Sequence, residues 1–167
     1  MLDLARTSLL GALVLAFAAV ACSGSDDATS SGPGYATGPN MFPGVNCLSC
    51  HAVGFGDDAP TWSAGGTLFE AKDSDVGVEG AIVTITDTNG KSDMAMTSAS
   101  GNFHFPEGLE PPFKVTVEYD GETIEMPGEA PAGSCNACHK IPDPLVGAPG
   151  RMFPNQGKGD WIPMATQ

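Results

Sequence analysis

Phe113-Lys-Val-Thr-Val-Glu-Tyr-Asp-Gly-Glu-Thr-Ile-Glu-Met126 is the stretch that decides the fold. Phe113, Val115, Val117 and Tyr119 alternate with Lys114, Thr116 and Glu118, which gives a strand with one dry and one wet face. Asp120-Gly121 follows, two residues that accept positive φ and make the strongest two-residue hairpin signal in the chain. A loop of that length pairs Tyr119 with Glu122, Val117 with Ile124, and Val115 with Met126.

Working outward, the same period of two recurs. Leu68-Phe69 reads as a short strand and residues 76–86 as a longer one around Ala-Ile-Val-Thr-Ile-Thr. Asp87-Thr-Asn-Gly90 is a turn with residues suited to positive φ. Residues 92–98 and 102–105 form a second pair across Ala99-Ser-Gly101, with Met94 and Met96 on one face as packing groups. Six or seven short strands in about sixty residues, without a helical period, predict a mainly β protein. The expected architecture is a small antiparallel Ig/prealbumin-like sandwich over residues 65–127, flanked by irregular segments.

Gly80-Ala-Ile-Val-Thr-Ile-Thr-Asp87, Thr97-Ser-Ala-Ser-Gly-Asn-Phe103 and Phe113-Lys-Val-Thr-Val117 together resemble the carboxypeptidase regulatory-like domain. That resemblance implies the prealbumin (transthyretin-like) sandwich and a supporting or binding role. It implies no peptidase activity, which belongs to a separate catalytic domain.

Two further stretches carry chemistry: Cys47-Leu-Ser-Cys50-His51 and Cys135-Asn-Ala-Cys138-His139. Each has the Cys-x-x-Cys-His spacing of covalent haem attachment. Two thiols one turn apart add across the haem vinyl groups, and the adjacent histidine lies under the iron as an axial ligand. Two such pentapeptides among five cysteines and three histidines predict two haem c groups. Competing readings are a zinc site, a thioredoxin-like pair and a plain disulfide within each motif. A shared zinc needs the fold to join halves 84 residues apart, and a zinc site has no need of a histidine after each second cysteine. A thioredoxin-like pair needs a βαβ unit. A disulfide leaves both histidines idle.

His51 and His139 supply one axial ligand per iron, so the sixth position decides between closed electron-transfer sites and open reactive ones. Met41, six residues before Cys47, ranks first, and Met126, nine before Cys135, second. His104, the remaining histidine, ranks third, because Phe103 and Phe105 pointing inward turn it outward. Met126 has the hairpin register against it, since that register puts it on the core face. Met152 and Met164 are further options in the tail. Trp62, Phe153 and Trp161 are candidate haem-packing aromatics.

The larger arrangement runs from Met41-x-Pro-Gly-x-x-Cys-x-x-Cys-His, through the sandwich, to Cys135-Asn-x-Cys-His and Gly150-Arg151. It resembles small exported dihaem cytochromes of metal- or surface-respiring Gram-negative bacteria. That resemblance implies upstream methionines as distal ligands.

The N-terminus fits export. The apolar run from residue 9 to 21 is short for a membrane span, and residues 1–21 read as a signal peptide of lipoprotein type. Cys22 is the odd cysteine left over, at the cleavage point, where acylation removes a stray thiol and anchors the chain. Residues 22–40 form a flexible tether with little to bury. Residues 41–64 form the first haem segment, with a short helical turn through 47–52. Residues 128–167 form the second haem segment and a proline-rich irregular tail packed against haem.

The formal charge of −13 argues against nucleic acid and anionic membrane surfaces as partners. Loss of residues 1–21 removes Arg6 and Asp3 together, so that charge persists. Acidity suits a basic redox partner. The expected function is therefore a lipid-anchored dihaem electron carrier, not an enzyme, in the bacterial periplasm or at the cell surface on the outer membrane. Its haems are expected to flank the sandwich. The alternatives are a peroxidase-like enzyme recruiting His104 and Arg151 beside an open iron, and a haem-bearing assembly module that self-associates through sheet edges.

Overall fold

A computed structural model describes residues 38–54, 59–145 and 147–154. Along the chain run α1 (Leu48–His51), β1 (Trp62–Thr67), β2 (Ile82–Thr86), β3 (Ser92–Met96), β4 (Asn102–Pro106), β5 (Lys114–Tyr119), β6 (Glu122–Glu125) and α2 (Cys135–Cys138). The strands make two antiparallel sheets, a pair β1-β4 and a four-stranded sheet in the order β3-β2-β5-β6. The protein is mainly β, a small sandwich as the alternation predicts.

The hairpin register is the expected one. Tyr119 lies opposite Glu122 and Val117 opposite Ile124, and the Met126 N–H donates to Val115 O. Asp120 has φ 52 and Gly121 φ 74, so both loop residues sit in the left-handed region that a twisted hairpin requires. The Asp87 turn is also present. Its carboxylate accepts from the backbone N–H groups of Asn89 and Lys91, which close the turn. Burial works to raise the pKa of Asp87, but the N–H donors of Lys91, Asn89 and Glu110 outweigh it and hold the carboxyl below its ordinary value.

The core lies between the sheets. Val83, Ile85 and Val115 project from the larger one, Ala64, Phe103 and Phe105 from the smaller, with Leu68, Leu109, Phe113 and Met152 closing the ends. Burying a side chain of this size contributes about 1.5–3 kcal/mol. Strand β4 alternates as read: Phe103 and Phe105 are buried and His104 is exposed.

Four local expectations need correction. First, the segments 92–98 and 102–105 do not pair with each other in one sheet. The turn between them is real, since Ser98 and Asn102 are hydrogen-bonded and Gly101 has φ 79. The chain crosses there from one sheet to the other, because Ala95 and the two phenylalanines bury better face to face than side by side. Second, Met94 and Met96 do not pack: they are 70 % and 68 % exposed on the outer face of edge strand β3. The register places Asp93 and Ala95 inward instead, and Ser92 outward with its hydroxyl on Thr86 Oγ1.

Third, the strand read at Leu68-Phe69 begins at Trp62, inside the segment assigned to the first haem. Leu68 and Phe69 continue it only as isolated bridges to Met152 and Gly77. Fourth, the longer strand read over 76–86 is regular only from Ile82, because Gly80 turns the chain with φ 80. Within the tail, residues 152–153 are held more firmly than the flanking prolines suggest. Met152 bridges Leu68 in parallel and is buried with Phe153.

Candidate functional site

The two cysteine motifs fold alike. In each, the histidine N–H donates to the carbonyl of the first cysteine, at 3.0 Å for His51 to Cys47 and 2.9 Å for His139 to Cys135. One helical turn thereby brings residues i, i+3 and i+4 to one side. The residue types set this up: short Leu-Ser and Asn-Ala spacers allow a turn, and the flanking glycines and prolines stop it after four residues.

Both motifs land on the same strand, β1. A side chain at Gly65 would meet Cys47 Cβ at 3.1 Å, and one at Gly66 would meet Cys135 Cβ at 2.8 Å. Gly65 N donates to Gly133 O at 2.9 Å, just before the second motif. The expectation that the two sites flank the sandwich is therefore corrected: they sit side by side against Ala64-Gly65-Gly66-Thr67. Two adjacent glycines give the room that a larger side chain would deny.

A buried polar knot ties this arrangement together. Thr67 Oγ1 donates to Asn102 Oδ1 and accepts from Gly44 N and Asn136 Nδ2. Asn136 Oδ1 accepts from Thr67 N, while its Nδ2 also donates to Val45 O at 2.8 Å. Asn102 Nδ2 reaches Met41 O at 2.6 Å. Among the described residues no buried side-chain polar atom lacks a partner.

The motif histidines have matching orienting contacts. His51 Nδ1 lies 2.8 Å from Pro60 O, and His139 Nδ1 lies 3.0 Å from Gly150 O. A carbonyl only accepts, so each Nδ1 carries a proton, and in the neutral ring Nε2 then keeps its lone pair. A backbone carbonyl on the far ring nitrogen is the support a metal-ligating imidazole needs. Burial lowers the His139 pKa, against the opposing pull of Gly150 O; burial, then the nearby His51, lowers that of His104. Burial likewise pushes the Cys47 thiol up to about 11. Cys135 is pushed up to about 12, by burial first and then by neighbouring Cys47.

Cys47, Cys135 and Cys138 are free, so neither motif closes on itself as a disulfide. Cys50 is disulfide-bonded, and a thioether at this sulfur requires that bond to be absent. The fold does bring the two halves together, yet among the described residues no three His, Cys, Asp or Glu side chains converge as a shared zinc needs. The second motif offers two free sulfurs and one oriented nitrogen, while the first offers the Cys47 sulfur and the His51 nitrogen, with Cys50 engaged in its disulfide. Haem c, were it bound, would be held by Cys47, Cys50 and His51 at one site once Cys50 is released, and by Cys135, Cys138 and His139 at the other.

The distal candidates are dispersed. Met41 is half-buried, with its carbonyl in the polar knot. Met126 is half-buried and packs against the core, as its register predicts. Met152 is buried and points its methyl at Gly66, the glycine that Cys135 also crowds. His104 and His51 lie on opposite faces of the Trp62 indole, with ring centroids 4.2 and 3.5 Å from it. Axial ligands must instead meet an iron along one line through their nitrogens, so this stack does not offer both imidazoles to one metal. Met164, Trp161 and Cys22 lie outside the described residues.

Arg151 forms an ion pair of 2.6 Å with Asp75, contacts Ser74 O, and covers the Phe69 ring at 4.3 Å. It is thus engaged in holding the segment whose Gly150 carbonyl orients His139. Sequence reasoning missed Asn136, Thr67 and Asn102. A spacer asparagine inside a haem motif carries no pattern of its own, whereas the Gly65-Gly66 pair was a signal of close approach. No described helix is long and apolar enough to cross a membrane. Compared with protein families, curated proteins and solved structures, the chain finds no match.

Proposed function

We propose that this protein is a dihaem c-type cytochrome that carries single electrons between extracytoplasmic partners. One observation carries the reading: both motif histidines turn Nδ1 to a backbone carbonyl and leave Nε2 free to ligate iron. When bound, haem c supplies one-electron redox chemistry. The chain's own part is to bind through Cys47, Cys50, Cys135 and Cys138, to orient His51 and His139, and to hold the two peptides together on β1. Hydrogen-bonded imidazoles, His51 buried and His139 half-buried, over a dry sandwich suit a carrier that changes charge with little rearrangement.

The peroxidase-like alternative loses support from Arg151, which is paired with Asp75 and stacked on Phe69. The assembly alternative draws on one observation, the two exposed methionines on edge strand β3. Such an edge invites strand pairing, and self-association is compatible with electron transfer. Export, acylation at Cys22, an outer-membrane location and an acidic surface meeting a basic redox partner belong to the same proposal, as does the likeness to the carboxypeptidase regulatory-like domain.

The test is spectroscopic. The exported protein is expected to hold two haems per chain, both low-spin and six-coordinate in ferric and ferrous states. A high-spin ferric spectrum with rapid peroxide turnover would favour the enzymatic alternative. Export and anchoring are read from cell fractions: Cys22→Ser is expected to move the protein from membrane to soluble extracytoplasmic material.

A further inference from the structure

Haem attachment specifies the two cysteines and the histidine of each motif and leaves the two spacer residues chemically free. Three of the four spacers, Leu48, Ser49 and Ala137, keep at least some contact with solvent, but Asn136 is only 3 % exposed. Its side chain makes three hydrogen bonds, and none of them is to its own motif. Oδ1 accepts from Thr67 N at 3.0 Å; Nδ2 donates to Thr67 Oγ1 at 3.0 Å and to Val45 O at 2.8 Å. Val45 lies two residues before Cys47, and Thr67 directly follows the Gly65-Gly66 pair against which both first cysteines press.

We infer that Asn136 is a positioning residue that fixes the first haem peptide relative to the second, an inference that rests on the dihaem reading for its functional sense. A buried amide left unpaired loses its hydration with nothing in return, so Asn136 holds its place only while all three partners stay put. The consequence is mechanical. The second motif cannot drift from β1 or from the approach to the first motif without breaking that set. Thr67 Oγ1 extends the brace through Gly44 N and Asn102 to Met41 O, so the whole approach to Cys47 moves as one body with α2. Interactions between two redox centres fall steeply with separation, so a side chain that fixes separation also fixes how strongly they communicate.

The experiment uses the full exported chain and two variants, N136L, similar in size but unable to hydrogen-bond, and T67V, which keeps the shape and removes the hydroxyl. Two quantities are read: amide hydrogen exchange at residues 44–47 and 67, and the magnetic interaction between the two ferric haems. In N136L, exchange at Thr67 is expected to rise about tenfold, the loss of one buried hydrogen bond. The magnetic interaction is expected to weaken while each haem keeps its own low-spin spectrum. T67V should act in the same direction, and the double variant should fall short of the summed effects because both residues belong to one network.

Unchanged exchange in residues 44–47 and an unchanged magnetic interaction in N136L would overturn the inference, as would strict additivity. If N136L does not accumulate as folded protein, T67V alone decides by the same two quantities. A chain that carries no haem would defeat the dihaem reading, and the exchange measurement would still decide whether Asn136 braces the two peptides.

Discussion

The first and second cysteine motifs share a backbone turn and differ in what surrounds it. His51 is 7 % exposed, and its ring lies flat on Trp62, 3.5 Å away and within 9° of parallel. His139 is half-buried and takes its orienting carbonyl from Gly150, in the distant segment that Arg151 fastens to Asp75. At the sulfurs the order reverses, with Cys135 deeper and held protonated further into the alkaline range than Cys47. Two identical spacings therefore yield two unlike sites: one shielded around its histidine by stacked rings, the other around its first cysteine by the core. On the proposed dihaem reading, burial and hydrogen bonding around each iron would tune its potential, and two distinct potentials are expected.

The largest expected effect breaks the comparison at its second member. Gly133→Ala would drive a methyl to 1.9 Å from Ser63 O, so the chain entering α2 must leave β1. A loss of about 3 kcal/mol or more is expected in denaturant unfolding, with the second site disturbed more than the first. A fully stable variant would mean that the second motif is not seated on β1.

A pH series on haem-free chain comes next. The Cys47 and Cys135 thiols stay neutral in the fold up to about 11 and about 12. In the unfolded chain they ionise near the ordinary value of 9.0. Above that value the unfolded state binds fewer protons than the native one, so stability falls as pH rises from about 9 through both folded values. Thermal unfolding between pH 8 and pH 11 should therefore show a falling midpoint. Once both sulfurs are thioethers this alkaline loss should disappear, which makes the series a test of attachment as well as of burial.

Trp62→Leu sharpens the comparison from the other side. Removing the stacked indole is expected to cost about 1 kcal/mol beyond its area and to shift the first site's potential while the second keeps its own. Equal shifts at both sites would erase the distinction drawn here. Arg151→Lys should act least, about 0.5 kcal/mol, because its partner Asp75 is solvent-exposed. Its mark should appear in the His139 environment alone, through Gly150, and a histidine-resolved NMR spectrum would show whether it does.

Much of this arrangement was legible in the residues. Alternation from Phe113 and the Asp120-Gly121 loop specified the hairpin to the residue, since turn geometry and the need to bury Val115 and Val117 agree. Phe103 and Phe105 likewise turned His104 outward. Strand β1 was harder, because Ser-Ala-Gly-Gly has no β-branched run, and only neighbours pressing on its glycines reveal why it is extended. The convergence of both motifs on that strand was not legible, because it rests on contacts across 91 residues from Asn136 to Val45 and 68 from Gly133 to Gly65. Met94 and Met96 misled for a related reason: apolar character says that a side chain can be buried, while the register from the Asp87 turn decides which face it takes.

The most direct measurement is the mass of the native exported protein, followed by mapping of its cysteine peptides. Two added haem masses are expected, with Cys47, Cys50, Cys135 and Cys138 all resistant to alkylation after reduction. An unmodified chain in which reduction frees Cys50 from a disulfide, and all four motif thiols then alkylate, would contradict the dihaem reading outright.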